Sequence, residues 1–539
     1  MTAARWLVFM SVLWAWSSLV FATPSPVPAG AADPLAPGIA VLGLGSAGDV
    51  RDAIEALAAT DDPRALTVLD ALSRGQLQVD HAAGVYRHTA EGWRHVLTGQ
   101  PAPEEASLSA PILTNSSRRQ LANALAQLQI TSPDAGQRLA GAITMAEKPI
   151  ADAEPALREA LDREQNPDIQ QWLALAVAQL DLENADPAKR REAVQLLGES
   201  GRLAYRARIE PLSGEAEADA TVRQEAVRAL NRIDRQQWMV RQAANVFYGL
   251  SLGSILMLSA LGLAITFGLM GVINMAHGEM LMLGAYTTYV VQRLFQSHAP
   301  AWQDAYLLMA IPLAFAVTAL VGIALERLVI RHLYGRPLET LLATWGISLA
   351  LIQAVRLVFG AQNVSVANPS WLAGGWAVAD GLVLTYNRLA IIAFALLVLL
   401  MAYLLLQRTA LGLNVRAVSQ NRPMAAAMGI NTASVDAWTF GLGSGIAGLG
   451  GVALSQLDNV APDLGQGYIV DSFMVVVLGG VGQLAGTFVG AFGLGVLNKF
   501  LEPQIGAVMG KVLVLVLIIL FIQRRPQGLF AMRGRAVEA

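Results

Sequence analysis

Residues 245–523 are a succession of apolar runs, and that feature leaves the chain few architectures to adopt. Runs long enough to span a bilayer read at 246–270, 274–292, 305–325, 340–359, 386–406 and 433–456. Shorter ones follow at 470–482, 484–500 and 506–523. Hydrocarbon offers no water to backbone N–H and C=O groups, so segments of this length cross it as α-helices. The expected fold class is therefore all-α, with a polytopic helical membrane region of about eight or nine spans. The two segments beside Gly479-Gly480-Val481-Gly482 are short enough to read as half-helices or a re-entrant pair.

The region before residue 240 is different in kind. Only 15% of the whole chain is charged and 54% is hydrophobic, yet residues 50–240 carry frequent Asp, Glu, Arg and Gln. That part reads as water-soluble. It follows a stretch laid out as a signal peptide over 1–22: Arg5, then the apolar run Trp6 to Val20, then Val20-Phe21-Ala22 as a cleavage site. Residues 23–240 are thus expected outside the cytoplasm as a periplasmic helical domain, with a Pro-rich linker at 23–37. Helix starts read at Asp62-Pro63, Asn166-Pro167, Asp186-Pro187 and Asp219. Helical spacing recurs in Leu173, Leu175, Ala176 and Leu180, in Ala193, Val194, Leu196 and Leu197, and in Val222, Ala226, Val227, Leu230 and Ile233. The pattern resembles HEAT-type repeats, which stack to bury faces that no single repeat covers. Residues 76–98 read as a small β insertion.

Three patterns invite chemistry that their context does not support. Ile39 to Gly48 resembles a strand entering a GxGxxG turn, but no second parallel strand follows, so a structural glycine turn is expected. His81, His88 and His95 repeat at spacing seven without an acidic partner to complete a metal set. Gly506 to Lys511 has P-loop-like composition with the wrong spacing and no following Ser or Thr. No metal or cofactor is expected. A net charge of −3 gives no reason to expect nucleic acid, and the absence of cysteine excludes disulfides and thiolate chemistry.

Basic residues set the expected orientation. Arg327, Arg331 and Arg336, then Arg408, Arg416 and Arg422, then Arg524, Arg525, Arg533 and Arg535 fall on one side when the spans alternate, and that side is expected to be cytoplasmic. Residues 531–539 become a cytoplasmic tail. Small residues at helical spacing (Gly441 and Gly445, Ala447 and Gly451, Gly486 and Gly490) are expected to let helix backbones approach closely. Asn274, His277 and Glu279 are the sharpest polar intrusion. Ionisable groups at membrane depth are functional candidates; the competing expectation, which the sequence favours, is that they cap a helix at the interface or tie two spans together.

Three stretches together resemble the branched-chain amino acid ABC importer permeases over about 245–532. They are Tyr248 to Ser254 with Gly271 to Met280 and Gly284-Ala285-Tyr286; Arg408 to Ala417 with Ala425 to Asn431; and Val477 to Gly482 with Gln523 to Phe530. The exported extension is similar to the urea-transporting branch. The resemblance implies a permease subunit, not an enzyme, working by alternating access. Urea is the first substrate reading and branched-chain or other amino acids the alternative. A membrane-embedded enzyme is the disfavoured reading from another class. Implied partners are a second permease, two ATP-binding subunits, a periplasmic binding protein and the inner-membrane bilayer. Candidate pathway residues are Asn274, His277, Glu279, Gly479, Gly480 and Gly482. Loop 408–431 is the expected ATPase contact, with Met424, Ala425 and Met428 as an apolar ridge, Arg416 and Arg422 at its rim and Gly429 at its end. Its helix is expected within 418–428, shortened by Pro423.

Overall fold

In a computed structural model, residues 33–530 are described, apart from 61, 81–83, 90–91 and 104–107. The signal peptide, most of the Pro-rich linker, His81 and the tail from 531 lie outside the described residues. The chain separates into two compact units between Ile233 and Asp234.

The first unit is built from α1 (Ala36–Gly43), α2 (Ala47–Ala58), α3 (Arg64–Ser73), α4 (Asn115–Ile130), α5 (Ala135–Glu147), α6 (Glu154–Arg163), α7 (Pro167–Asp181), α8 (Pro187–Glu199), α9 (Leu203–Ile209) and the start of α10 (Ala220–Met270). The expected caps open their helices. Side-chain oxygens of Asp62, Asn166, Asp186 and Asp219 accept from the amides of Arg64, Asp168, Ala188 and Thr221 at 2.8, 3.0, 2.9 and 2.7 Å. Leu173, Leu175, Ala176, Ala193, Val194, Leu197, Val222, Ala226 and Ile233 are buried as their spacing requires, whereas Val227 is exposed.

One device recurs. Arg138, Arg190 and Arg223 each stand four residues after a capping aspartate, and each guanidinium turns back onto the two carbonyls before that cap. The partners are Ser132 and Pro133, Asn184 and Ala185, and Glu217 and Ala218. Arg138 and Arg190 also pair with Glu164 at 2.6 Å and Glu217 at 2.7 Å. Carbonyls that a turn leaves without helical partners are thereby satisfied by charge-assisted bonds.

The β insertion is an antiparallel sheet of β1 (Leu77–Asp80), β2 (Gly84–Thr89) and β3 (Gly92–His95). The expected strand at residues 39–44 is instead α1, which ends in a turn with Gly45 at φ +72°. Without a strand the dinucleotide-binding context is missing.

The second unit contains α11 (His277–His298), α12 (Tyr306–Leu328), α13 (Pro337–Phe359), α14 (Tyr386–Arg408), α15 (Ala410–Gln420), α16 (Arg422–Ala427), α17 (Thr432–Ser455), α18 (Leu464–Gly479), α19 (Leu484–Ile505) and α20 (Ala507–Arg524). Seven helical segments among the described residues are long and apolar enough to cross a membrane. Helix α11 is outside that set, carrying Glu279, Gln292 and Arg293 among its polar residues, and α18 is too short at 16 residues. The first span shows no break near residue 240, because α10 runs unbroken from Ala220. The fold is mostly helical rather than all-α, since this unit has its own two-stranded hairpin of β4 (Gly375–Ala379) and β5 (Leu382–Thr385), separate from the three-stranded sheet of the first unit. Its turn, Asp380-Gly381, puts Gly381 at φ +91°.

Helix α17 is central and almost wholly buried. Its glycines are the reason. A Cβ on Gly448 would strike the Thr318 side chain, and one on Gly451 would strike the Leu281 carbonyl. Only bare backbone permits α11 and α12 to pack so closely on either side. Among the described residues, members of the three basic clusters gather at one end of the bundle. Tyr334, beside Arg331 and Arg336, meets Arg422, and Phe530, after Arg525, packs on Gly480. The opposite end carries the hairpin and a bridge between Val364 and Val460.

Candidate functional site

The chain does not pass from α10 to α11 by a surface loop. Met270 ends α10, Gly271 turns at φ +71°, and 271–276 runs back as irregular backbone into the bundle. The return is fixed by His277, whose Nε2 lies 2.9 Å from the carbonyl of Ser259. Ser259 is eleven residues before Met270, about 16 Å along the helix, so α11 begins well inside the bundle. Irregular backbone at such depth needs partners from protein. The amide of Met275 donates to Thr344 Oγ1 at 3.1 Å, and that of Ala276 to Asn274 Oδ1 at 3.0 Å.

Asn274, His277 and Glu279 are almost completely buried, and each pairs one polar atom while leaving the other unpaired. Asn274 Oδ1 takes the Ala276 amide and Nδ2 is unpaired. His277 Nε2 faces a carbonyl and so must carry the proton, which leaves Nδ1 as an unpaired acceptor. Glu279 Oε1 accepts from Ser348 Oγ at 2.7 Å and Oε2 is unpaired. His277 and Glu279 tie α11 to α10 and α13, inside the bundle rather than at an interface, while Asn274 braces the turn that precedes α11.

The start of α11 meets the start of α18. A Cβ on Gly278 would lie 2.5 Å from the carbonyl oxygen of Gly465. Neither helix start has a side-chain cap, and Asp463, immediately before α18, is exposed. Lower on α18, Ser472 Oγ and Ser259 Oγ are 2.5 Å apart.

Gly479, Gly480 and Gly482 lie elsewhere, so the expected pathway set is not one cluster. Gly479 ends α18 and the other two follow it, about 24 Å from the helix start. Gly479 packs backbone to backbone on Gly486, and Gly480, at φ +101°, on Phe530. Gly482, at φ +81°, lies against Gly268 and lines a cavity of 640 Å³. Arg416, Gln407, Gln420 and Gln483 line the same cavity, so one pathway candidate and one loop candidate do converge.

Loop 408–431 forms two helices. Helix α15 overlaps only 418–420 of the expected segment, and α16 begins at Arg422, before Pro423. Asn421 breaks the helix and caps the next, its Oδ1 accepting from the Met424 amide at 3.0 Å. Pro423 sits in the first turn of α16, where its missing N–H costs nothing. Gly429, at φ +85°, closes the segment, with its amide on Ala426 O and that of Ile430 on Ala425 O. The ridge is corrected in composition. Met424 and Met428 are 59% and 77% exposed, but Ala425 faces inward; Leu413 on α15 is exposed as well.

The two arginines are held from inside. Arg416 donates to the Leu406 carbonyl. Arg422 pairs with Asp436 and lies 4.7 Å over the Tyr334 ring. Burial, reinforced by Asp436 and Glu326, holds the Tyr334 phenol protonated far above its ordinary range, so it donates to Glu326 Oε1 at 3.4 Å.

Sequence reasoning passed over Ser348, Thr344, Asp436, Tyr334 and Glu326. A signal existed for the first two. Thr340, Thr344 and Ser348 recur at spacing four, a hydroxyl stripe along an otherwise apolar helix, and all three are buried. The decoys resolve differently. His88 and His95 lie on β strands edge-on to Trp93 and Tyr86, and no group of three metal-ligating side chains occurs among the described residues. Lys511 pairs with Asp471 at 3.1 Å within a helical context rather than a phosphate loop.

Comparison with known proteins covers this unit. The family described as "Branched-chain amino acid transport system / permease component" matches residues 245–522. A high-affinity branched-chain amino acid transport system permease protein of Pseudomonas aeruginosa, BraD, is 30% identical over 287 residues, covering 52% of this chain and 93% of its own. LivH of Escherichia coli K12 is 28% identical over 292 residues, 53% of this chain and 94% of its own. A probable counterpart from Methanocaldococcus jannaschii is 26% identical, over 51% and 88%. No solved structure matches.

Proposed function

The chain belongs to the branched-chain amino acid transport permease family, and from that premise we propose that it is the membrane-spanning subunit of an ATP-driven importer for amino acids. The observation that carries the reading is the re-entrant segment 271–276, which sets the half-paired Asn274, His277 and Glu279 deep in the bundle. An unpaired polar atom in an apolar interior is costly, and substrate passage is a reason to keep three of them.

The basic end faces the cytoplasm in this reading, as positive charge on short loops favours. There Met424, Met428 and Leu413 offer apolar contact to an ATP-binding subunit. Two such subunits, a second permease and a periplasmic binding protein complete the complex. The first unit is then exported, a HEAT-like helical stack that docks the binding protein or braces the assembly. Purification of the binding protein with a variant lacking 23–240 counts against docking.

Urea is the second reading. What favours it is the first unit, which lies wholly before the family match at 245–522. The names of the relatives favour amino acids. Uptake of labelled leucine and labelled urea, in a deletion strain with and without the gene restored, separates the readings. Loss of leucine uptake supports the first and loss of urea uptake alone the second. Loss of neither removes the importer assignment.

A further inference from the structure

Near the start of α11, two carboxyl groups stand without a basic partner. Glu279 is 1% exposed, and its Oε2 bonds to nothing. Asp463 is exposed and stands two residues before Gly465, where an added Cβ would lie 3.0 Å from the Glu279 amide nitrogen. Among the described residues neither carboxylate makes an ion pair with Lys, Arg or His. Tyr286 is 2% exposed, two turns along α11 from Glu279, and its hydroxyl is also unpaired. An ionisable group without a counter-ion in a membrane interior is a candidate for contact with a passing ligand, and Glu279 is such a group.

The backbone beside them has the opposite polarity. Helices α11 and α18 begin next to each other at Gly278 and Gly465, without side-chain caps. Carbonyls of the preceding turns take the amides of His277 and Glu279 on α11 and of Leu464 and Gln466 on α18, which leaves the Gly278 and Gly465 amides and the positive ends of two helix dipoles, a pairing that suits a carboxylate. Broken helices present such ends to anionic groups at transporter substrate sites. A negative subsite therefore adjoins a positive one.

We propose that Glu279 and Tyr286 receive the ammonium group of a zwitterionic amino acid, admitted past Asp463, while the starts of α11 and α18 receive its carboxylate. The inference rests on the amino acid reading above and deepens it. A neutral ligand such as urea can donate hydrogen bonds to these carboxyls but gains no ionic attraction from them, whereas an ammonium group gains charge-assisted hydrogen bonds to Glu279 Oε2 and Tyr286 Oη. Gly278 and Gly465 touch, so the ligand enters only when the two helix starts part. Glycine at both positions keeps that contact free of side chains.

The test uses the complete importer in proteoliposomes with its binding protein and ATP-binding subunits, following labelled leucine. Glu279→Gln should lower maximal uptake about tenfold or more, the loss expected for a charge-assisted hydrogen bond. The half-saturating concentration, set by the binding protein, should stay unchanged, and Glu279→Asp should recover part of the rate. Ser348→Ala removes only the tie to Glu279 Oε1 and should cost much less. Wild-type rates in Glu279→Gln, or an equal loss in Ser348→Ala, overturn the proposal, the second because the carboxylate would then serve only to hold α13. If Glu279→Gln does not assemble, Tyr286→Phe decides: a several-fold loss supports the subsite and an unchanged rate overturns it. Wild-type protein that carries no leucine removes the amino acid reading and this inference together. Wild-type protein that carries leucine while these variants remain unimpaired removes this inference alone.

Discussion

Arg422, at the start of α16, is held from two sides: its guanidinium pairs with the buried carboxylate of Asp436 on α17 and stacks 4.7 Å over the ring of Tyr334. The basic loop is thus fastened to the central helix and to the segment between α12 and α13. Arg422→Ala strands Asp436 without its cation. With Arg422 itself 43% exposed, the expected loss is about 1–3 kcal/mol, below that of a fully buried pair. Thermal unfolding in detergent measures it, and amide exchange over 410–428 should accelerate. Slow exchange unchanged there would mean that the loop is fastened by other contacts.

Met424 and Met428 make the opposite case, since both are exposed and neither supports the fold. Met428→Glu should leave the unfolding temperature as it is and weaken association with the ATP-binding subunit by at least about tenfold, as charge at an interface core does. Co-purification and pull-down titration provide the readout. Normal association would place the coupling surface elsewhere.

Gly284 and Gly448 meet where α11 crosses α17, and a Cβ on Gly284 would overlap the Gly448 carbonyl. Gly284→Ala is expected to destabilise the bundle by about 1–3 kcal/mol, because backbone cannot yield as a side chain can. Gly467, where an added Cβ meets nothing within 4 Å, serves as the control. Equal unfolding temperatures for the two alanine variants would contradict the packing described for α17.

The first unit should lose stability in acid. The Arg138 guanidinium holds the Glu164 carboxyl below its usual range against the opposing effect of burial, helped by the amides of Asn166 and Gln165. Arg190 and the Asp219 amide do the same for Glu217. A carboxyl whose folded pKa is depressed stabilises fully above its unfolded value of about 4.3, and that contribution disappears as pH falls through the folded value. Trp172 emission followed from pH 6 to pH 3 should report loosening below about pH 4.3. Glu164→Gln should be less stable at neutral pH and show a shallower acid dependence. A Glu164→Gln profile parallel to wild type would exclude that pair as a source of the effect.

Much of the helical plan was legible because it follows from local rules. Apolar runs of spanning length, aspartate and asparagine caps before proline, and small residues at spacing four all act within a turn or two. The helices they predict appear close to the expected limits. The hairpin at 375–385 was also readable, since Asp380-Gly381 between β-branched and aromatic residues is a strong turn signal. Residues 39–44 misled because a short apolar run fits a buried strand and a buried helix equally well.

The sequence alone determined that 245–523 is a helical membrane region, that its basic loops share one end, and that Asn274, His277 and Glu279 are out of place in it. These depend on composition and spacing, which the chain carries locally. Only the tertiary structure decided how deep those residues lie, that each keeps one polar atom unpaired, that Gly479 to Gly482 belong to the other end of α18, and that Ala425 points inward. Such facts depend on Ser259, Ser348 and Gly465, partners as far as 187 residues away along the chain (465 minus 278), and no periodicity within a helix records which distant surface it will meet.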